Sequence, residues 1–362
     1  MKQHRKKLKK YIDVNVYDEA KNRIRHVINT FDTLVVMFSG GKDSLAVLHL
    51  LKEVYEEIGI NVENKPINVV FRDEELIPET VIKFVDKYYK KSWVNMRYYA
   101  VPLYSQKYVL GETATYVQWD KNRDHIRKPP SYAIQLESND NRIFAQDTMD
   151  SFVAKEFKGK IAFINGIRAT ESLVRYRSSV NKINENYINA PKGDKATEKN
   201  VRLVKPIYDW EENDVFKYFY EKNIEYCPVY DLQLWNGDQF RVATPIHQEA
   251  AKTFHRLKTL DPVLYSQVIE IFPDMLVQER YYKEFNKDSI KQKYAGSLQS
   301  ILQYIKDTIT DPKQKHEAYK NFQSCVKLHR YSPEAYPLKH IFNHFLGGGY
   351  KRVIMPMREE ER

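Results

Sequence analysis

The sequence predicts an α/β fold, a doubly wound and mostly parallel sheet followed by a C-terminal α-helical region. Three observations predict it. Residues 33–58 pass without a break from a continuous apolar run through a glycine turn into apolar positions of helical period. A second strand-and-helix pair and a third strand follow by residue 101, so the order is βαβαβ. From about Thr244 onward the apolar spacing is mostly helical, with Pro245, Pro262, Pro273, Pro312, Pro333 and Pro337 as punctuation.

The elements can be justified in order. Residues 13–30 place Val16, Ala20, Ile24, Val27 and Ile28 on one helical stripe. Thr33-Leu34-Val35-Val36-Met37-Phe38 has no polar face, as expected of a strand covered on both sides of a parallel sheet. After Ser39-Gly40-Gly41 the apolar positions Leu45, Leu48, Leu51, Val54 and Ile58 predict a helix that stops at Gly59. Ile67–Phe71 reads as a strand, Pro78–Tyr89 as a helix and Met96–Val101 as a strand. Residues 104–150, polar and aromatic with Trp119-Asp120 and Pro129-Pro130, break the pattern and read as an insertion or lid. Ile161–Asn165 resumes it as a strand ending in Gly166-Ile167-Arg168, and a charged loop spans about Lys182–Lys199. Asp209 is expected to cap a helix through Phe219, with Glu212 bonding back. The chain thus divides into a basic arm and helix (1–30), an α/β domain (31–243) and a helical region (244–362).

Composition excludes several classes of protein. A chain of 362 residues with 42% hydrophobic and 29% charged residues, 12 Gly and 15 Pro is long enough for a buried core and is neither collagen-like nor low-complexity. Two cysteines, Cys227 and Cys325, are too few for a disulfide framework or an iron–sulfur cluster held within one chain. No run is apolar enough to span a bilayer, and the first residues lack the apolar stretch of a signal peptide, so a cytoplasmic address without membrane contact is expected. The net charge is +10, and the first thirty residues hold nine Lys or Arg against three acidic residues. This arm suits either nucleic acid, through counterion release, or a solvated tail.

The chemistry is concentrated in Ser39-Gly40-Gly41-Lys42-Asp43-Ser44. Two glycines let the backbone turn tightly between strand and helix, several N–H groups then point at one place, and the helix N-terminus adds positive potential. Phosphate is the natural ligand. The two serines supply hydroxyls, Lys42 a cation, and Asp43 an acid that either orients the loop or meets Mg2+. Val36 and Asp43 stand where a Walker A loop needs Gly and Ser or Thr, and no Gly-x-Gly-x-x-Gly follows the strand.

This hexapeptide resembles the PP-loop of the adenine-nucleotide α-hydrolase (HUP-type) superfamily. Val70-Phe71-Arg72-Asp73-Glu74-Glu75 followed by Pro78-Glu79-Thr80, Gly166-Ile167-Arg168-Ala169-Thr170-Glu171-Ser172 with Arg175, and Lys205-Pro206-Ile207-Tyr208-Asp209-Trp210 resemble segments of the phosphoadenosine phosphosulfate (PAPS) reductase family. Trp119-Asp120 and Ile126-Arg127-Lys128-Pro129-Pro130 narrow the resemblance to its IbrA/YbdN-like branch. The resemblance implies ATP or a related adenylyl nucleotide as substrate; residue chemistry adds Mg2+ as cofactor, and with two cysteines no iron–sulfur cluster is expected. It also implies a ParB-like protein partner. Ser39 to Ser44, Asp73, Gly166, Arg168 and Arg175 become the candidate nucleotide-binding residues, with Lys42, Asp43 and Arg168 catalytic and Asp43 the metal ligand. On residue chemistry, Asp73 serves either the nucleoside or a helix cap, and Arg175 either a phosphate or a surface ion pair with Glu171. The reductases of the family attack sulfur with a cysteine in a Glu-Cys-Gly-x-His type tail, which the sequence Gln323-Ser324-Cys325-Val326 does not match. Three functions follow: adenylyl transfer with pyrophosphate release, nucleotide-dependent regulation of the partner, and sulfonucleotide reduction.

Overall fold

The computed structural model describes residues 12–180, 185–191, 200–237, 241–281, 287–349 and 352–357. Most of the basic arm therefore lies outside the described residues. The central sheet has six strands in the order β3-β2-β1-β6-β8-β7. They are β1 (Thr33–Phe38), β2 (Ile67–Arg72), β3 (Val94–Tyr99), β6 (Ile161–Asn165), β7 (Ile188–Asn189) and β8 (Val201–Val204). All pair in parallel except β7, which runs antiparallel to β8 at the edge. Strand order grows from β1 toward β2 and β3 on one side and toward β6 and β8 on the other. The switch point of this doubly wound sheet is therefore the crevice between the carboxyl ends of β1 and β6, where open α/β sheets bind ligands.

Alternation along the strands assigns the faces. Leu34, Val36 and Phe38 of β1 join one core with Val69, Phe71, Ala162 and Ile164. That core is covered by α1 (Val16–Thr30), α2 (Lys42–Glu57), α3 (Glu79–Tyr89) and the helix Glu212–Lys222. Val35, Val70 and Phe163 face the other way, onto Met149 and Val153 of α4 (Gln146–Ala154). β1, β2 and β6 are consequently buried on both sides, which is why their sequences carry no polar alternation.

Several expectations shift by a few residues or change role. β3 begins at Val94, two residues early, because its register against β2 starts at Ile67–Val94. Residues 104–150 contain a hairpin, β4 (Leu103–Val109) and β5 (Glu112–Gln118), in a separate two-stranded sheet. Within the charged stretch 182–199, β7 supplies an edge strand; residues 182–184 and 192–199 lie outside the described residues. Asp209 does not cap the helix after it. Arg23 of α1 holds its carboxylate with two hydrogen bonds of 2.7 Å, and the helix starts two residues later, with Glu211 at the N-cap and the Asp214 carboxylate accepting the Glu211 N–H at 2.7 Å.

The chain separates into two units, one of residues 1–107 and 114–273, the other of 108–113 and 274–362. The division falls at Pro273, not at residue 243, because the segment between belongs to the α/β unit. Phe272 packs edge-on against Tyr116 at 5.2 Å, and Gln267 Nε2 donates to the Ile126 carbonyl at 2.8 Å. The second unit is mainly helical and has its own core around Ile301, Ile305, Cys325, Ile341 and Phe342. Among the described residues, no helix is long and apolar enough to cross a membrane.

Candidate functional site

The loop Ser39–Ser44 sits at the switch point. Gly40 has φ of +73°, a conformation that favours glycine, and a Cβ there would come within 2.9 Å of Val81 Cγ1. Side-chain hydroxyls already organise the loop's amides. The Ser39 N–H donates to Ser44 Oγ at 3.1 Å, the Gly41 N–H to Ser39 Oγ at 3.3 Å, and the Lys42 N–H to the Tyr230 hydroxyl at 2.7 Å. Burial pushes the Tyr230 phenol up, so it stays a neutral hydroxyl at this helix N-terminus. Gly166, at the end of β6, is pressed against the loop so closely that a Cβ would overlap the Asp43 carbonyl and the Ser44 amide. Only glycine fits where the two loops meet.

Two residues further on, Arg168 crosses back to α2. Its Nε donates to Asp43 Oδ1 at 2.6 Å, while Lys42 Nζ lies 3.3 Å from Asp43 Oδ2 and 3.3 Å from Glu212 Oε2. Glu212 Oε2 also lies 3.8 Å from Arg168. Lys42 and Arg168 are buried, at 4% and 5% exposure, and Glu212 is 42% exposed. The structure thus gathers Lys42, Asp43 and Arg168, which the sequence marked, and adds Glu212, which it did not. Glu212 had been read as a helix cap, and no local pattern shows that its helix packs on α2.

Mg2+ does not fit Asp43 in this arrangement. One carboxylate oxygen is committed to a guanidinium and the other faces an ammonium, and two buried cations oppose a third. No group of three or more metal-ligating side chains occurs among the described residues. Asp73 is likewise engaged elsewhere. Arg127 holds it through two hydrogen bonds of 2.8 and 2.5 Å, and the Tyr98 hydroxyl donates to it at 2.5 Å, so it anchors the 104–150 segment and does not face the crevice. Glu75 next to it is held by Arg123 at 2.7 and 2.6 Å and by the Trp119 amide at 2.7 Å. Arg175 forms an ion pair with Glu171 one turn away and remains 40% exposed.

Beside the loop lies a cavity of about 200 Å³, lined by Ser39, Ser44, Gly166, Arg72 and Glu74 among others. Glu74, adjacent to the engaged Asp73, is the carboxyl that faces it. Burial pushes this carboxyl up, with Arg72 pulling in the opposite direction. The sequence marked Asp73 after β2; the acid of that pair that lines this cavity is Glu74.

The model of the phosphoadenosine phosphosulfate reductase domain matches residues 33–235, from the start of β1 to the helix that carries Tyr230. The chain belongs to the PAPS reductase domain family. The family's span covers every residue of the loop, the Arg168 cluster and Glu212. A relative, the uncharacterized protein YbdN of Escherichia coli (strain K12), is 27% identical over 266 residues, which are 69% of this chain and 64% of that one. The chain therefore matches somewhat less than two thirds of that relative's length. Among solved structures, the PAPS reductase of Candida auris in a phosphate complex is similar at 16% identity and a TM-score of 0.36, over 62% of this chain and 88% of that one. The FMN adenylyltransferase of Candida glabrata in complex with ATP is similar at 13% identity and a TM-score of 0.37, over 59% and 57%.

Proposed function

We propose that this PAPS reductase family member binds ATP or a related adenylyl nucleotide at the switch point and cleaves it at the α-phosphate, releasing pyrophosphate and activating an acceptor. One observation carries the reading: a PP-loop meets Gly166 at the carboxyl ends of β1 and β6, with two buried cations, Lys42 and Arg168, held at its helix end. A polyphosphate supplies the negative charge that Asp43 and Glu212 supply in its absence, and the more exposed Glu212 is the easier carboxylate to displace. Arg168 then stabilises charge on the leaving pyrophosphate, its guanidinium already oriented by Asp43 and by Thr170 Oγ1 at 3.2 Å. Glu74 takes the nucleoside role first assigned to Asp73, because it is the acid that lines the cavity. The mechanism uses no step through Mg2+ bound at Asp43.

The reductase alternative needs a nucleophilic thiolate. Both cysteines are fully buried, and burial pushes each thiol up to about 11. The test of the main reading is calorimetric titration of the intact chain with ATP, followed by product analysis with candidate acceptors. One-to-one binding that falls at least tenfold in Arg168→Ala, with AMP and pyrophosphate as products, is expected. Absence of ATP binding, or turnover to ADP and phosphate, overturns it.

A further inference from the structure

Trp119 and Arg127, from the two motifs that the proposed reaction leaves unused, close on the turn that carries Glu74. Arg127 donates to both oxygens of the Asp73 carboxylate and, at 3.2 Å, to the Glu75 carbonyl. One guanidinium thus ties the residue before Glu74 to the residue after it. Trp119 spans the same pair, its Nε1–H donating to the Asp73 carbonyl at 2.8 Å and its backbone N–H to Glu75 Oε2 at 2.7 Å. The Arg127 guanidinium lies over the Trp119 ring, 5.1 Å from its centroid. Within the turn, the Glu75 N–H donates to Asp73 Oδ1 at 2.9 Å, and the side chains of Asp73 and Glu75 are fully enclosed. The backbone is also forced: φ is +62° at Glu75 and +50° at Trp119, in the region that favours glycine. Other residues persist there only where their surroundings fix them. Of the three consecutive acids, Glu74 alone lines the nucleotide cavity, between two neighbours that are each held from the other side.

We infer that Arg127 is a positioning residue for nucleoside recognition: it holds the strained turn closed so that the Glu74 carboxylate is presented to a hydrogen-bond donor of the nucleoside. The inference rests on the adenylyl-nucleotide reading, in which Glu74 meets that nucleoside. A hydrogen bond weakens steeply once its geometry is lost, so an acid on a loosened turn no longer discriminates. Holding two acceptors on different residues at once needs the planar fork of a guanidinium; an ammonium supplies the charge without the fork. The phosphates are gripped elsewhere, by the loop Ser39–Ser44 and its cations, so Arg127 acts on the nucleoside half of the ligand alone.

The test is titration calorimetry of the full chain with ATP and with inorganic tripolyphosphate, which has the phosphates and no nucleoside. Arg127→Lys keeps a cation beside the enclosed Asp73 carboxylate, which an uncharged residue would strand. Should that variant not fold, Asp73→Asn combined with Arg127→Gln removes both charges together and takes its place. Glu74→Gln and Arg127→Lys are each expected to weaken ATP at least fivefold and to leave tripolyphosphate within twofold of the wild type. Arg127→Lys added to Glu74→Gln is expected to cost ATP less than a further twofold, because the arginine acts through the acid that is already gone. A merely structural arginine gives losses that multiply in the combined variant, or an equal fall for the two ligands, and either result overturns the inference. So does ATP affinity unchanged in Glu74→Gln or in Arg127→Lys. Those results leave the nucleotide site standing if the wild type still binds ATP; a wild type that binds neither ligand defeats the site itself, and the positioning role with it.

Discussion

The contact between Gly166 and the Asp43–Ser44 backbone is the residue-scale feature on which the site depends. Backbone cannot swing aside as a side chain can, so Gly166→Ala forces β6 away from the loop. We expect a loss of about 1–3 kcal/mol in urea unfolding, typical of overpacking, and an ATP affinity reduced at least tenfold. An unchanged unfolding midpoint would show that the loops are not in contact. The two thiols make a second residue-scale case. With pKa values of about 11, roughly one molecule in a thousand carries a thiolate at pH 8. Neither Cys227 nor Cys325 should react with a disulfide reagent in the native protein, and both should react in denaturant; fast labelling of either one in the native state would restore the reductase alternative. At this scale the sequence was informative where chemistry is local. Ser39–Ser44 marks a candidate anion site by its residue types and its place between strand and helix, and Gly166-Ile167-Arg168 does so by its resemblance to the family. The pairings Arg168–Glu212 and Asp73–Arg127 span 44 and 54 positions, and no spacing rule reaches so far.

Among the elements, α2 links the site to the core, and its half-buried His49 makes stability depend on pH. His49 Nε2 lies 2.8 Å from the Tyr88 hydroxyl and packs edge-on against Tyr88 and Trp93. Burial, helped by Lys52 and Lys91, lowers its pKa to about 4. The unfolded chain titrates near 6.5, so between about pH 6.5 and 4 it binds a proton that the folded chain does not. Stability therefore falls as pH is lowered through that window, by up to about 3 kcal/mol. His49→Gln keeps a polar partner for Tyr88 but cannot titrate. Its loss of stability between pH 7 and 4.5 should be about 2–3 kcal/mol smaller than that of the wild type in urea melts; equal losses would refute the assignment. Element existence was legible in the sequence wherever a strand is covered on both faces, as β1, β2 and β6 are. It was not legible for β7 and β8, with two and four residues, because strands that short carry too brief an apolar run to show a period. The hairpin β4–β5 was hidden for a related reason: β4 alternates between half-buried and exposed positions, and only Tyr116 and Gln118 of β5 are buried.

Over the whole molecule, the boundary at Pro273 makes a claim that proline punctuation in the sequence could not make, because several prolines offered themselves equally. Residues 244–273 contribute Phe254, Leu264 and Val268 as buried side chains to the α/β unit and set Phe272 against Tyr116. A chain ending at Pro273 retains both cores of the sheet. One ending at Ala243 leaves Tyr116 without its ring partner and the Ile126 carbonyl without Gln267. Burial of two or three apolar side chains is worth about 1.5–3 kcal/mol each, so the shorter chain should be less stable by about 3–9 kcal/mol. Circular dichroism in urea would measure this. The longer fragment should unfold in one transition and keep ATP affinity within threefold of the intact chain. At the hairpin tip it loses the Gln278 Oε1 that accepts the Leu110 N–H at 2.6 Å. If the two fragments proved equally stable, residues 244–273 would not belong to the α/β unit.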